Sequence, residues 1–434
     1  MRFGLFCSPK ADAPGFRPET GRGFFDYLEF NVEAEALGFH SSFSVEHHFS
    51  GWNQVSSTLM LLSALAMRTR TLRLGTAVIV PPWHNPVLLA EEAATLDLLS
   101  HGRLDLGIGK GYRHSEFKGF QIPPDEAEAL GFRSSFLVEH HFTGWNQVSA
   151  TLMLLTALAM RTKTLRLGSA VIVLPWHNPV LLAEQAATLD LISGGRFDFG
   201  IGKGYRHSEF KGFQISPDEA EARFDEAVEV MTRAWTTRER FSHKGRFWHF
   251  EDVIVEPPPA QRPHPPLWVA AGNPHSIRRA AARGFNLILD QYASATALGE
   301  RIAIYKAERE ANGLPFDPMQ VTAARQLYVA KDKADKDAAL ARQAEYTRRT
   351  INVARMPDGK TGSHVLAYAD RAGATEENAL FGTPEEIAGM IEALRDAGVT
   401  YVLLTIAGGV DQLRRFAREI MPAFAREPAA RAAE

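Results

Sequence analysis

The pentapeptide Val-Glu-His-His-Phe occurs twice, at Val45–Phe49 and at Val138–Phe142. Histidine is the side chain suited to moving protons near neutral pH, which makes these segments the first candidates for chemistry. Adjacent strand residues point to opposite faces, so only one of His47 and His48, or of His140 and His141, is expected to face inward. A pair of structural histidines is the plainer alternative. Zinc is a poor match, because no third ligand follows at a usual spacing. A second pattern, Gly-Ile-Gly-Lys-Gly-Tyr-Arg-His-Ser-Glu-Phe, stands at Gly107–Phe117 and again at Gly200–Phe210. Its glycines permit close backbone approach to a ligand, and Lys110 or Lys203 could hold a phosphate. It is not a P-loop, since the glycine spacing and the following Ser/Thr are absent. A third pattern is Ala-Ala-Gly-Asn-Pro-His-Ser at Ala270–Ser276. Asn273 caps a helix that Pro274 opens, and the N–H groups beyond Gly272 make an anion site to which Ser276 could add a hydroxyl. The plain alternative is a well-capped helix, and the same grammar recurs at Asn85-Pro86 and at Thr383-Pro384-Glu385-Glu386.

The doubling of these motifs is part of a larger repeat. Residues Glu33–Asp125 return as Glu126–Asp218 without a gap, differing at 14 of 93 positions. Without one copy the chain has 341 residues and reads continuously through the seam. That describes one enzyme domain, residues 1–434, with a tandem insertion. Solenoid arrays have shorter periods and usually need three or more units.

Around the motifs, short β-branched runs alternate with amphipathic helices, the mark of parallel βαβ units. With one copy counted there are eight strands, at 2–6, 42–46, 72–80, 104–109, 266–270, 286–290, 321–330 and 401–405. Each is followed by a helix. The expected fold is therefore α/β, a (β/α)₈ TIM barrel, with one duplicated segment displaced. Eleven strands would leave a wide, poorly filled interior. Extruding the second copy, 126–218, inserts into a loop, whereas extruding the first breaks a helix near Glu33. The loop insertion costs less, so the first copy is expected in the barrel. The polar stretch 352–381 reads equally as a lid or as a disordered insertion.

A net charge of −3 gives no electrostatic case for nucleic acid or membrane surfaces. Cys7 is the sole cysteine, which suggests a reducing, cytoplasmic compartment. The N-terminus does not read as a signal peptide, and no apolar run is long enough for a membrane span.

Taken in order, VEHHF, LRLGTAVIV with PPWHNPV, GRLDLGIGKGY, PHPPLWVAAGN and FGTPEEI resemble the bacterial-luciferase-like flavin monooxygenases over nearly the whole chain apart from one copy. EHHF is closer to the FMN-using branch than to the F420-using branch. The resemblance implies a barrel that takes reduced FMN from a separate flavin reductase, adds O2 to form a C4a-hydroperoxide, and oxygenates a small apolar substrate such as an aldehyde. It implies a catalytic histidine at His47 or His140. It places Ala77-Val78 or Ala170-Val171 beneath the flavin ring, often joined by a cis peptide. Cofactor contacts are implied at Glu46, at Lys110 or Lys203, at Arg223, and at Gly272, Asn273 and Ser276. A homodimer is possible and no metal is implied. Leu130 stands where Arg223 stands after the second copy, so the helix after the second copy must belong to the barrel. Gly109 replaces a cysteine found in luciferases proper, so light emission is not implied. Two rivals are an F420-dependent hydride-transfer enzyme and a flavin-binding protein without catalysis.

Overall fold

The computed structural model describes residues 4–7, 9, 22–46, 57–77, 79, 84–108, 124–142, 149–354 and 378–424. The chain divides into two compact units, the first of Met1–Gly119, Arg133–Gly204 and Glu209–Leu267, the second of Phe120–Phe132, Tyr205–Ser208 and Trp268–Glu434.

In the first unit, the first copy and the residues before it supply β1 (Gly4–Phe6), α1 (Arg22–Ala36), β2 (Ser41–Ser44), α2 (Thr58–Arg68), β3 (Arg73–Thr76), α3 (Pro86–Leu99) and β4 (Leu104–Asp105). They make one parallel sheet ordered β1-β2-β3-β4. A short helix at the seam, α4 (Pro124–Ala129), falls in the second unit. The second copy supplies β5 (Ser134–Leu137), α5 (Thr151–Arg161), β6 (Arg166–Ser169), β7 (Ile172–Val173), α6 (Pro179–Ile192) and β8 (Phe197–Gly202). Its parallel ladder runs β5-β6-β8, with β7 also on β8.

Nearly identical sequences give nearly identical local structure. Arg103 donates to Thr69 Oγ1 at 2.9 Å and to Leu72 O at 2.8 Å, and Arg196 does the same to Thr162 Oγ1 at 2.9 Å and Leu165 O at 2.7 Å. Each arginine ties the end of one helix to the strand after it, and so satisfies a partly buried guanidinium. What differs is burial. β8 is buried along all six residues, with Phe197 and Phe199 completely enclosed. β4 is two residues long, and Leu106, the counterpart of Phe199, is 40% exposed. Phe199 N–H donates to Pro266 O at 2.9 Å, immediately before β11 (Leu267–Ala270).

Two expectations are corrected here. The second copy, not the first, is in register with the residues that lead into the C-terminal strands; residues 126–218 are not the extruded segment. The first copy folds as its own sheet. The reason lies in the single N-terminal strand. β1 pairs with β2 through Gly4↔Ser41, Leu5↔Ser42 and Phe6↔Phe43. The second copy begins inside a helix and brings no first strand of its own. Pairing β1 with the nearer of two equivalent strands closes the shorter loop. α1 stays whole, and the broken helix is the second copy's, reduced to the six residues of α4. The parallel α/β sheet is consistent with the expected TIM-like barrel, and among the described residues β5 has β6 on one edge and no strand on the other.

After β8 come α7 (His207–Gly212) and α8 (Ala220–Thr236), then an antiparallel hairpin of β9 (Phe241–Lys244) and β10 (His249–Val253) that the strand count had missed. The second unit carries most of β11, then α9 (Pro274–Ala282), β12 (Asn286–Leu289), α10 (Ala295–Ala311), β13 (Val321–Val329), α11 (Lys333–Ala354), β14 (Leu380–Gly382), α12 (Pro384–Asp396), β15 (Val402–Ile406) and α13 (Val410–Glu419). β11-β12-β13 is a parallel ladder, and β14 and β15 both pair with β13. Its core gathers Leu287, Leu289, Ala323, Leu327 and Val329 from the strands with Ile277, Leu298, Tyr305, Ile387 and Phe416 from the helices. Thr383 and Glu386 form the expected capping box of α12. Of the stretch read as a lid or insertion, residues 355–377 lie outside the described residues. Among the described residues no helix is long and apolar enough to cross a membrane.

The burial contrast is testable. Phe199→Ala is expected to destabilise the protein by about 3–5 kcal/mol, the usual range for a lost core phenylalanine. Leu106→Ala should change it by under about 0.5 kcal/mol. Denaturant unfolding of the two variants measures the difference, and equal effects would contradict the assignment of the second copy to the core.

Candidate active site

The strand β5 ends at Leu137, so Glu139, His140 and His141 lie just beyond it. Phe142 then turns the chain with φ 56°, its ring lying where a Cβ on Gly212 would stand. A bulky residue in that left-handed region is uncommon and is kept only where packing fixes it.

Glu139 is the buried centre. Its carboxylate accepts from Val173 N–H at 2.6 Å and pairs with His177 Nε2 at 2.7 Å. His141 Nε2 lies 3.2 Å from it as an ion-pair contact. Burial alone would raise the carboxyl, but His177 and His141 outweigh it and hold Glu139 well below the usual carboxylate range. His141 is fully enclosed. Its Nδ1 is 2.8 Å from Glu91 Oε2, a carboxylate from α3 of the first copy. Burial works against its charge, but Glu139 and Glu91 prevail and push it up to about 10, so it is an imidazolium at neutral pH. The rings of Trp176 and Phe213 meet its edge at 6.0 and 4.9 Å.

His140 takes a different carboxylate. Its side chain is 14% exposed, and its Nδ1 lies 3.1 Å from Glu209 Oε1. Glu209, on α7, also accepts from the His141 backbone N–H at 3.0 Å, so one buried carboxylate holds the His140 ring and the His141 backbone. The arrangement is an imidazole, His140, held by a buried carboxylate beside an enclosed imidazolium, His141.

The remaining expected residues are placed as follows. The Ala170–Val171 peptide is cis, and Ala170 N–H donates to Leu137 O at 2.7 Å. In the first copy, Ala77 N–H donates to Ser44 O at 2.8 Å, and Glu46 is buried against His84 Nε2 at 2.6 Å. His47, Val78 and Lys110 lie outside the described residues. Lys203 is half exposed and pairs with Glu221 at 2.8 Å. Arg223, on the first turns of α8, pairs with Glu219 at 3.0 Å and stacks over Phe247, 4.4 Å from the ring centre. In the second unit, Asn273 caps α9 by accepting from Ser276 N–H at 2.9 Å, with Gly272 just before it. No group of residues suited to a metal ion occurs among the described residues.

Reading the sequence for its histidine pair missed Glu139, His177 and Glu209. The signal was present: Trp-His-Asn-Pro and His-Ser-Glu-Phe pass unchanged through both copies. The asparagine of the first was read only as a cap, which it is: Asn178 accepts from Val180 N–H at 3.0 Å.

The family model of the luciferase-like monooxygenases matches the chain twice, over residues 1–127 and 125–401. The chain belongs to that family. It is similar to the oxygenase component of a flavin-dependent trigonelline monooxygenase of Acinetobacter baylyi, 26% identical over 69% of this chain and 87% of that protein. It is also similar to an FMNH(2)-dependent dimethylsulfone monooxygenase of Pseudomonas putida, 26% identical over 61% of this chain and 76% of that one. Against two uncharacterised relatives the chain spans 66% and 47% of their length. Among solved structures, the oxygenating constituent of 3,6-diketocamphane monooxygenase from Pseudomonas putida, in complex with FMN, shares the fold. Its TM-score is 0.57 at 21% identity, over 69% of this chain and 90% of that one.

The two shifts give stability a pH signature. His141 is raised from an ordinary 6.5, so its contribution is complete below that value and is lost as pH climbs toward about 10. Glu139 is depressed, so its contribution is present above its ordinary 4.5 and is lost on acidification. Unfolding midpoints across pH should therefore fall on the alkaline side in the native protein. His141→Gln should flatten that limb, and an alkaline limb of undiminished slope in the variant would refute the assignment.

Proposed function

We propose that the chain is the oxygenase of a two-component system, using reduced FMN and O2 on a small, mostly apolar substrate. The observation that carries this is His140, partly exposed and held by the buried carboxylate of Glu209, in a chain of the luciferase-like family. Relatives named as an oxygenase component and as FMNH(2)-dependent support a separately reduced flavin.

The residues present suit such a cofactor. Lys203 and Glu221 form an exposed pair, weak enough for a phosphate to compete with, while Arg223 is a partly buried cation paired with partly buried Glu219. In the second unit, taken by itself, Asn273 opens a helix whose first N–H groups suit an anion, with Gly272 and Ser276 beside it. The Ala170–Val171 segment is the flavin-ring contact carried over from the family pattern. When bound, the reduced flavin supplies the oxygen chemistry. His140 manages the proton at the reacting end, Glu209 fixes its ring, and the aromatic wall of Trp176, Phe210 and Phe213 keeps water from the imidazolium of His141.

Anaerobic titration with reduced FMN tests this reading. One flavin per chain is expected. Arg223→Ala should weaken binding about tenfold or more, the effect of losing one charge-assisted contact. Binding of reduced F420 in place of FMN would favour the hydride-transfer alternative. Binding of neither would leave the site without its cofactor and defeat the proposal.

A further inference from the structure

The first copy makes an ordered contact with the second. α2 packs on α5, its own counterpart 93 residues later, and the contact of α3 with α5 is mirrored by that of α2 with α6. A patch that meets its own equivalent, with reciprocal flanking contacts, is the signature of an isologous interface between two subunits. Here both sides belong to one chain. α2 is buried from Thr58 through Ala66 with no solvent face, as a helix must be when one side covers its own sheet and the other a neighbour. Ser63 and Thr156, at equivalent positions in the contacting helices, return their hydroxyls to Leu59 O and Leu152 O, so the buried face keeps no unmet donor there.

Two of the 14 differences and two shared residues show that the halves have become unlike partners. Glu92 and Gln185 occupy the same repeat position and meet each other, Gln185 Nε2 donating to Glu92 Oε1 at 3.0 Å. Two glutamates there would oppose carboxylate to carboxylate, which is costly in a half-buried site. Pro81 is replaced by Leu174, whose backbone accepts from His177 N–H at the turn that carries Trp176. Leu88 of α3 joins Val173, Trp176 and Phe210 of the second copy in one apolar cluster. One turn further along α3, Glu91 reaches His141.

We propose that the first copy serves the second as a built-in partner subunit, docking its α2–α3 face on α5 and α6 and supplying Glu91 as a positioning residue for His141. This rests on the reading that the second copy holds the working site. The groups facing His141 are Glu139 and Glu91, with His177 behind Glu139 and Glu209 on its backbone N–H.

The test uses the full chain without flavin. The titration of His141 is followed by nitrogen-15 NMR in the native protein, in Glu91→Gln, and in Glu184→Gln, the equivalent substitution on the buried α6. Loss of one adjacent carboxylate should lower the His141 midpoint by about 1–3 pH units in the first variant. The midpoint should be unmoved in the second, although both remove a charge from the same helix position. An unmoved midpoint in Glu91→Gln, or equal shifts in both, overturns the proposal. In a Cys7→Ser background, Glu92→Cys with Gln185→Cys should react with a short bis-maleimide to give a product of one-chain mass. A two-chain product, or none, overturns the built-in pairing. Failure to bind reduced FMN would defeat only the functional reading, because neither measurement involves the cofactor.

Discussion

One strand must choose between two partners. The repeat duplicates β2 but not β1, so a single N-terminal strand faces two near-identical edges, β2 and β5. Its pairing with β2 commits the first copy to a sheet of its own and leaves the second copy with a short seam helix and an edge without a strand among the described residues. The second copy compensates through its C-terminal side. Phe197 and Phe199 replace leucines, β8 lengthens to six buried residues, and its backbone reaches Pro266. Two substitutions of leucine by phenylalanine thus mark the copy that is built into the core.

The site depends on the same division. Burying Glu139 is tolerable only because His177, His141 and the Val173 N–H surround it, since an unpaired buried charge is far costlier than a paired one. His141 in turn is charged while completely enclosed, with carboxylates at both nitrogens. One of those carboxylates comes from the other copy, so electrostatic balance and the packing of the repeat are one problem. His140 then stands beside a fixed charge arrangement, oriented by Glu209 and partly open to solvent.

Much of the secondary structure was legible. α3 begins at Pro86 and ends at Leu99 as its Asn85 cap and apolar pattern foretold, and Asn273 and Thr383 cap the helices expected of them. The placement of the copies was not, because the loop-versus-helix argument weighed the cost at the insertion point and neglected the competition for β1. β14 and the β9–β10 hairpin are short and lack a clear alternation. At the site, the histidine pair was evident because proton chemistry calls for it. Its carboxylate partners were not, because Glu91, Glu139 and Glu209 come together only through tertiary packing, from three distant segments and two copies. The seam showed that helix α8, with Arg223, belongs to the barrel whichever copy is extruded, so it could not choose between them.

The most direct measurement compares flavin- and oxygen-dependent turnover of the full chain carrying His47→Asn with that of the chain carrying His140→Asn. With the second copy as the working one, His140→Asn should lose activity by about 10²–10⁴-fold, the usual weight of one positioned acid–base group, while His47→Asn retains it. Loss confined to His47→Asn, or equal loss in both, would contradict the account.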